Sequence, residues 1–122
     1  MRNILVLLIA AIALLATVGE AAAHAHLKRA NPRVGATIKE APPVLQLWFT
    51  EALEPSFTKV ELQDAAGKPV AAAGEPHVSP EDRALLELPL PKLPAGKYKV
   101  IWHAVSVDTH VTDGDFAFTV AP

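Results

Sequence analysis

Five histidines and no cysteine define the metal chemistry open to this chain of 122 residues. The histidines are His24, His26, His77, His103 and His110, and two stand apart by position. His24 follows Ala21-Ala22-Ala23, so cleavage after Ala23 would make it the first residue. A terminal histidine brings two donors to one metal ion, its α-amine and a ring nitrogen, and closes a chelate ring. An interior histidine cannot do this. Unperturbed α-amines titrate near ~7.7–8.0 and imidazoles near ~6.5, so both can lose a proton to a metal close to neutral pH. The competing reading is a histidine that happens to precede the first strand. The second feature is Asp108-Thr109-His110. In extended backbone, residues i and i+2 point to one side, which would present a carboxylate oxygen and an imidazole nitrogen together. Taken alone, the tripeptide reads better as a polar turn.

Together these residues supply an amine nitrogen, two imidazole nitrogens and a carboxylate oxygen. Nitrogen and oxygen donors in tetragonal geometry suit copper(II), which also tops the divalent affinity order. Zinc accepts two histidines and a carboxylate as well. Copper(I) prefers sulfur. The chain has no cysteine, and its one methionine is Met1.

The segment ahead of His24 reads as a secretory signal. Arg2 precedes an unbroken apolar run, Ile4 to Val18, and the small residues Ala21 and Ala23 occupy the −3 and −1 positions of a cleavage site. The run is short for a membrane span. Residues 1–23 are therefore expected to be removed, leaving one domain over 24–122 and placing it in the periplasm; cleavage after Ala25 also satisfies the small-residue rule. About a hundred residues suffice for one core. No second long apolar run follows, so the mature domain is expected to be soluble, and monomeric. A formal net charge of −2 and the lack of a strongly basic domain argue against nucleic acid as partner. Without cysteine, stability must come from packing rather than disulfides.

The elements that must position the donors read as strands. Val60 and Leu62 alternate with Lys59, Glu61 and Gln63; Leu86, Leu88 and Leu90 alternate with Glu87 and Pro89; Tyr98, Val100 and Trp102 alternate with Lys97, Lys99 and Ile101. Val44 to Thr50 is rich in β-formers, and Phe116, Phe118 and Val120 share one face of a last strand. Asp64-Ala65-Ala66-Gly67 and Leu93-Pro94-Ala95-Gly96 are turn signals, and Asp113-Gly114 precedes the last strand. Ala71 to Gly74 reads as a loop or weak strand, and prolines fall between the runs, where sheets tolerate them. About seven short strands predict an all-β, immunoglobulin-like Greek-key sandwich or barrel. Tyr98, Trp102 and Phe118 are expected in its core rather than in an aromatic site.

With these residues in hand, the sequence resembles the CopC family of periplasmic copper-resistance proteins. The matching segments are His24-Ala25-His26-Leu27 with Asn31-Pro32 and Gly35, then Leu47-Trp48-Phe49-Thr50-Glu51. They continue with Leu93 to Val100, Trp102, Ser106-Val107-Asp108-Thr109-His110 and Gly114-Asp115-Phe116-Ala117-Phe118, so the likeness runs through residues 24–122. The resemblance implies a Greek-key β-sandwich and one copper(II) ion per chain, held by the amine and ring of His24 with Asp108 and His110. It also implies an inner-membrane partner of the CopD type. Some members carry a methionine-rich loop for copper(I). This chain has no methionine there, so only the copper(II) site is expected.

His26 has a role of its own in the alternatives. A chain that starts His-Ala-His can bind copper(II) through its amine, two backbone amides and the third-position ring, provided that the terminus is flexible. A strand starting at Leu27 would oppose this mode and leave His26 to support the site or face the sheet. His77, in a loop rich in proline and glutamate, and His103, on a strand, are expected to be surface or packing residues. The leading reading is a copper(II)-binding protein and not an enzyme. A histidine-brace copper oxidase or oxygenase shares the terminal histidine, but Asp108 would fill the position that oxygen chemistry needs open. A metal-free adhesive sandwich would be indifferent to loss of His24.

Overall fold

The structure is a computed structural model that describes residues 25–122. The expected signal segment and His24 lie outside the described residues. Nine strands are present among the described residues: β1 (Leu27–Asn31), β2 (Thr37–Ile38), β3 (Val44–Phe49), β4 (Lys59–Gln63), β5 (Pro69–Val70), β6 (His77–Val78), β7 (Leu85–Pro89), β8 (Gly96–Val105) and β9 (Val111–Val120). They form two sheets, one ordered β1-β3-β7-β6 and the other β2-β9-β8-β4-β5. No helix occurs among the described residues, and the all-β sandwich expected from the alternating pattern is the observed architecture.

The period-2 pattern explains the sandwich. Leu45, Leu47 and Phe49 of β3 point inward with Leu86 and Leu88 of β7; Val60 and Leu62 of β4, Val100 of β8, and Phe116, Phe118 and Val120 of β9 face them from the other sheet. Tyr98 and Trp102 are buried, as expected. Trp102 meets Phe49 edge-on at 5.2 Å, and Tyr98 stacks on Phe118 at 5.6 Å. The Tyr98 hydroxyl donates to the Pro94 carbonyl at 2.6 Å, which satisfies the polar end of a side chain whose burial raises its pKa above the ordinary value.

Asp113-Gly114, expected just ahead of the last strand, lies inside β9, where Gly114 pairs with Trp102. A Cβ on Gly114 would stand 2.3 Å from Trp102 Cζ2. The glycine is there because the indole lies across its backbone, a requirement that outranks turn propensity. His77, expected in a loop, belongs to the two-residue strand β6 and pairs with Glu87 of β7.

Candidate metal centre

The β8–β9 hairpin carries Asp108 and His110. Its register is unbroken from Gly96↔Val120 to Val105↔Val111, which leaves Ser106 to His110 as the connection. That connection is pinned at both ends. The Ser106 amide donates to the His110 carbonyl at 3.0 Å, and the Thr109 amide donates to the Ser106 carbonyl at 2.9 Å. Ser106 also bridges Leu53, and the Val107 amide reaches the Ala52 carbonyl at 3.1 Å, so the β3–β4 connection braces the loop.

Asp108 and His110 do come together, but not by the extended i, i+2 geometry anticipated. Thr109 has φ of 73°, in the left-handed region rare for a β-branched residue. The resulting turn brings His110 Nδ1 to 3.2 Å from Asp108 Oδ2. Both side chains are about half exposed, at 46% and 52%, so an ion can reach them from solvent. Ser106, itself buried, donates its hydroxyl to Asp108 Oδ1. This hydrogen bond, aided by His110, holds the Asp108 carboxyl below its ordinary pKa. The carboxylate is therefore charged and oriented before any cation arrives.

The donor separation fits adjacent positions on one ion. Two donors each ~2.0–2.1 Å from a metal and 3.2 Å apart subtend about 100° at it. Among the described residues, no group of three or more His, Cys, Asp or Glu side chains could hold a metal. Asp108 and His110 are thus a pair, without a third such side chain beside them among the described residues.

Two backbone anchors show where the chain enters this region. The Ala25 carbonyl accepts a hydrogen bond from Thr112 Oγ1 at 2.5 Å, two residues beyond His110. The His26 amide donates to Thr50 Oγ1 at 2.9 Å, and the Thr50 amide donates back to the His26 carbonyl at 2.9 Å. These bonds extend the β1–β3 ladder and bury Ala25 completely. The residue that follows His24 is thus tied to the strand that leaves the Asp108–His110 loop. His26 has its amide engaged as a donor, which opposes the mode that requires a deprotonated amide there. Sequence reasoning missed Ser106, Thr112 and Thr50. The signal for Ser106 was its spacing, two residues before an aspartate; for the two threonines there was none.

The other histidines are elsewhere. His103 Nδ1 pairs with Asp113 Oδ1 at 2.5 Å across β8–β9, and His77 Nε2 lies 3.6 Å from Glu87 Oε1 on the other sheet.

Comparison with known proteins agrees with this fold. The CopC domain model matches residues 27–121. Copper resistance protein C of Escherichia coli is 37% identical over 108 residues, 82% of this chain and 83% of that protein. The crystal structure of CopC from Methylosinus trichosporium OB3b superposes with a TM-score of 0.75 at 28% identity, covering 81% of this chain and 95% of that one. PcoC, a methionine-rich copper resistance protein from Escherichia coli, gives a TM-score of 0.70 at 33% identity, over 80% of this chain and 99% of that one. A family match that spans both sheets and the β8–β9 loop identifies the chain as a member of the CopC family.

Proposed function

We propose that the chain is exported, processed to begin at His24, and binds one copper(II) ion in the periplasm for copper sequestration, delivery or resistance. The ligands are the α-amine and ring of His24, the carboxylate of Asp108 and the ring of His110. The observation that carries this reading is the Thr112–Ala25 hydrogen bond beside the Asp108–His110 pair. It ties the residue next to His24 to the strand that leads out of the two described donors. Nitrogen and oxygen donors favour copper(II), and the sole methionine, Met1, leaves with the signal, so copper(I) has no sulfur to bind. In this the chain departs from its methionine-rich relative. Two of the relatives, copper resistance protein C and PcoC, both of Escherichia coli, are named as copper resistance proteins. Transfer to or from a CopD-type membrane partner accompanies the proposal and rests on the family resemblance.

The decisive experiment compares the processed protein with one carrying a single added glycine before His24. The added residue turns the His24 amine into an amide and moves the new amine away from the ring. Intact mass should give a start at His24; a start at His26 would move the site. Competition titration should give one tight copper(II) equivalent for the processed protein, no comparably tight copper(I), and a loss of at least 100-fold in copper(II) affinity on extension. Thermal stability without metal should be unchanged, since an extra terminal residue disrupts no core contact. Equal copper(II) affinity of the two proteins refutes the terminal site. Abolition of binding by His26→Ala would instead favour the flexible-terminus mode.

A further inference from the structure

The charge along the chain is segregated. Residues 25–39 carry Lys28, Arg29, Arg33 and Lys39 and no carboxylate, although the whole chain has a formal net charge of −2. The structure gathers the first three around one groove. Lys28, Arg29, Asn31, Arg33, Val34 and Trp48 are its principal lining residues. A β-bulge makes the arrangement. Leu27 pairs with Phe49 while Arg29 pairs with Trp48, so Lys28 is the extra residue. Without the bulge, Arg29 would share the inward face with Leu27; with it, Lys28 and Arg29 both face outward in succession.

Arg29 lies over the Trp48 ring, its Cζ 4.1 Å from the ring centroid. Contact with the ring restrains the guanidinium, and Arg29 remains exposed to solvent. None of the ion pairs found among the described residues involves Lys28, Arg29 or Arg33. A planar, pre-oriented guanidinium flanked by two more unpaired cations is a receptor for carboxylates, which it can take in bidentate fashion.

We propose that this groove docks an acidic segment of a protein partner. The concave shape suits an extended chain better than a flat bilayer. Val34, 61% exposed, is the single large, strongly exposed apolar side chain at its margin, too little to insert into lipid. The cations speed encounter with an acidic surface, and stacked Arg29 fixes the register of the bound chain. The inference does not depend on which residues bind copper.

The test is titration of metal-free protein with a capped, labelled ten-residue glutamate peptide, read by fluorescence anisotropy at 50 mM and 200 mM salt. Saturable 1:1 binding that weakens with salt is expected. Arg29→Glu should lower affinity at least tenfold, and Arg33→Glu, in the turn after β1, should lower it by a similar factor. Arg29→Lys should fall between, because it keeps the charge and loses the stacked plane. Lys68→Glu makes the same charge change in the exposed turn between β4 and β5 and should cost less than twofold. Absence of peptide binding, an unaffected Arg29→Glu protein, or an equal loss from Lys68→Glu each overturns the proposal. Binding to phosphatidylglycerol vesicles with no binding to the peptide overturns it in favour of a membrane surface.

Discussion

If the copper site depends on docking of the N-terminal segment, Thr112→Val should weaken it without touching a ligand. Valine keeps the shape and the strand preference of threonine and removes only the hydroxyl. That hydroxyl is the donor to the Ala25 carbonyl at 2.5 Å, and Ala25 is fully buried. Leaving a buried carbonyl unpaired costs about 1–3 kcal/mol. In a domain of about a hundred residues this lowers the midpoint of thermal unfolding by roughly 4–20 °C if the segment stays in place. If the segment lets go instead, apo stability changes little and copper(II) binding must supply the redocking energy. Affinity then falls by about 5- to 140-fold, at ~1.4 kcal/mol per factor of ten. The assay is copper(II) competition beside calorimetry, repeated in the glycine-extended background. There the terminal chelate is already lost, so Thr112→Val should cost almost nothing more, a strong departure from additivity. A Thr112→Val protein with a lowered melting temperature and undiminished copper(II) affinity refutes the coupling. Full additivity of the two changes refutes it equally.

Three further outcomes follow from the same geometry. Ser106→Ala removes the hydrogen bond that most depresses the Asp108 pKa. A carboxylate with a lowered folded pKa stabilises above the unfolded value, ~3.9, and loses that contribution as pH falls through the folded value. The variant should therefore show a higher Asp108 titration midpoint by NMR, an acid limb of stability shifted to higher pH, and copper(II) affinity lower by about 10- to 100-fold. His110→Ala and Asp108→Ala should abolish tight copper(II) binding in competition titrations, while His77→Ala and His103→Ala, paired with Glu87 and Asp113 away from the loop, should leave it intact. Gly114→Ala should destabilise by about 1–3 kcal/mol, since the added methyl meets the Trp102 ring at 2.3 Å and one of the two must shift; chemical denaturation measures it, and an unchanged midpoint would show that the sheet yields freely.

The sheets were legible because alternation records burial directly. Val60 and Leu62, Leu86 and Leu88, and Phe116 and Phe118 all face the core that their spacing indicated. The two-residue strands β2, β5 and β6 carry no period to read. Asp113-Gly114 misled because a glycine can serve a neighbour across the sheet as well as a turn, and only the pairing with Trp102 distinguishes the two. The Asp108–His110 pair was found by an argument with the wrong backbone. The side chains meet through a left-handed Thr109 and a closed turn, which residue types do not announce. The anchors were invisible for a different reason. Thr112 and Ala25 are 87 positions apart, and a hydrogen bond over that span has no local signature.

The proposed centre also bears on how the domain holds itself together. The proposed terminal donors would enter ahead of Ala25 and β1, in the four-stranded sheet, whereas Asp108 and His110 lie between β8 and β9, in the five-stranded sheet. A copper ion bound by all of them would bridge the two layers at one end of the sandwich. The chain has no cysteine with which to make that connection covalently. Metal at a thousandfold excess over its dissociation constant adds about 4 kcal/mol to the folded state, comparable to a disulfide closing a long loop. The bridge is reversible in a way that a disulfide is not. Protons compete for the amine and both rings, so acidification would remove the ion and the cross-link together, while the Ser106 hydrogen bond favours the charged form of Asp108.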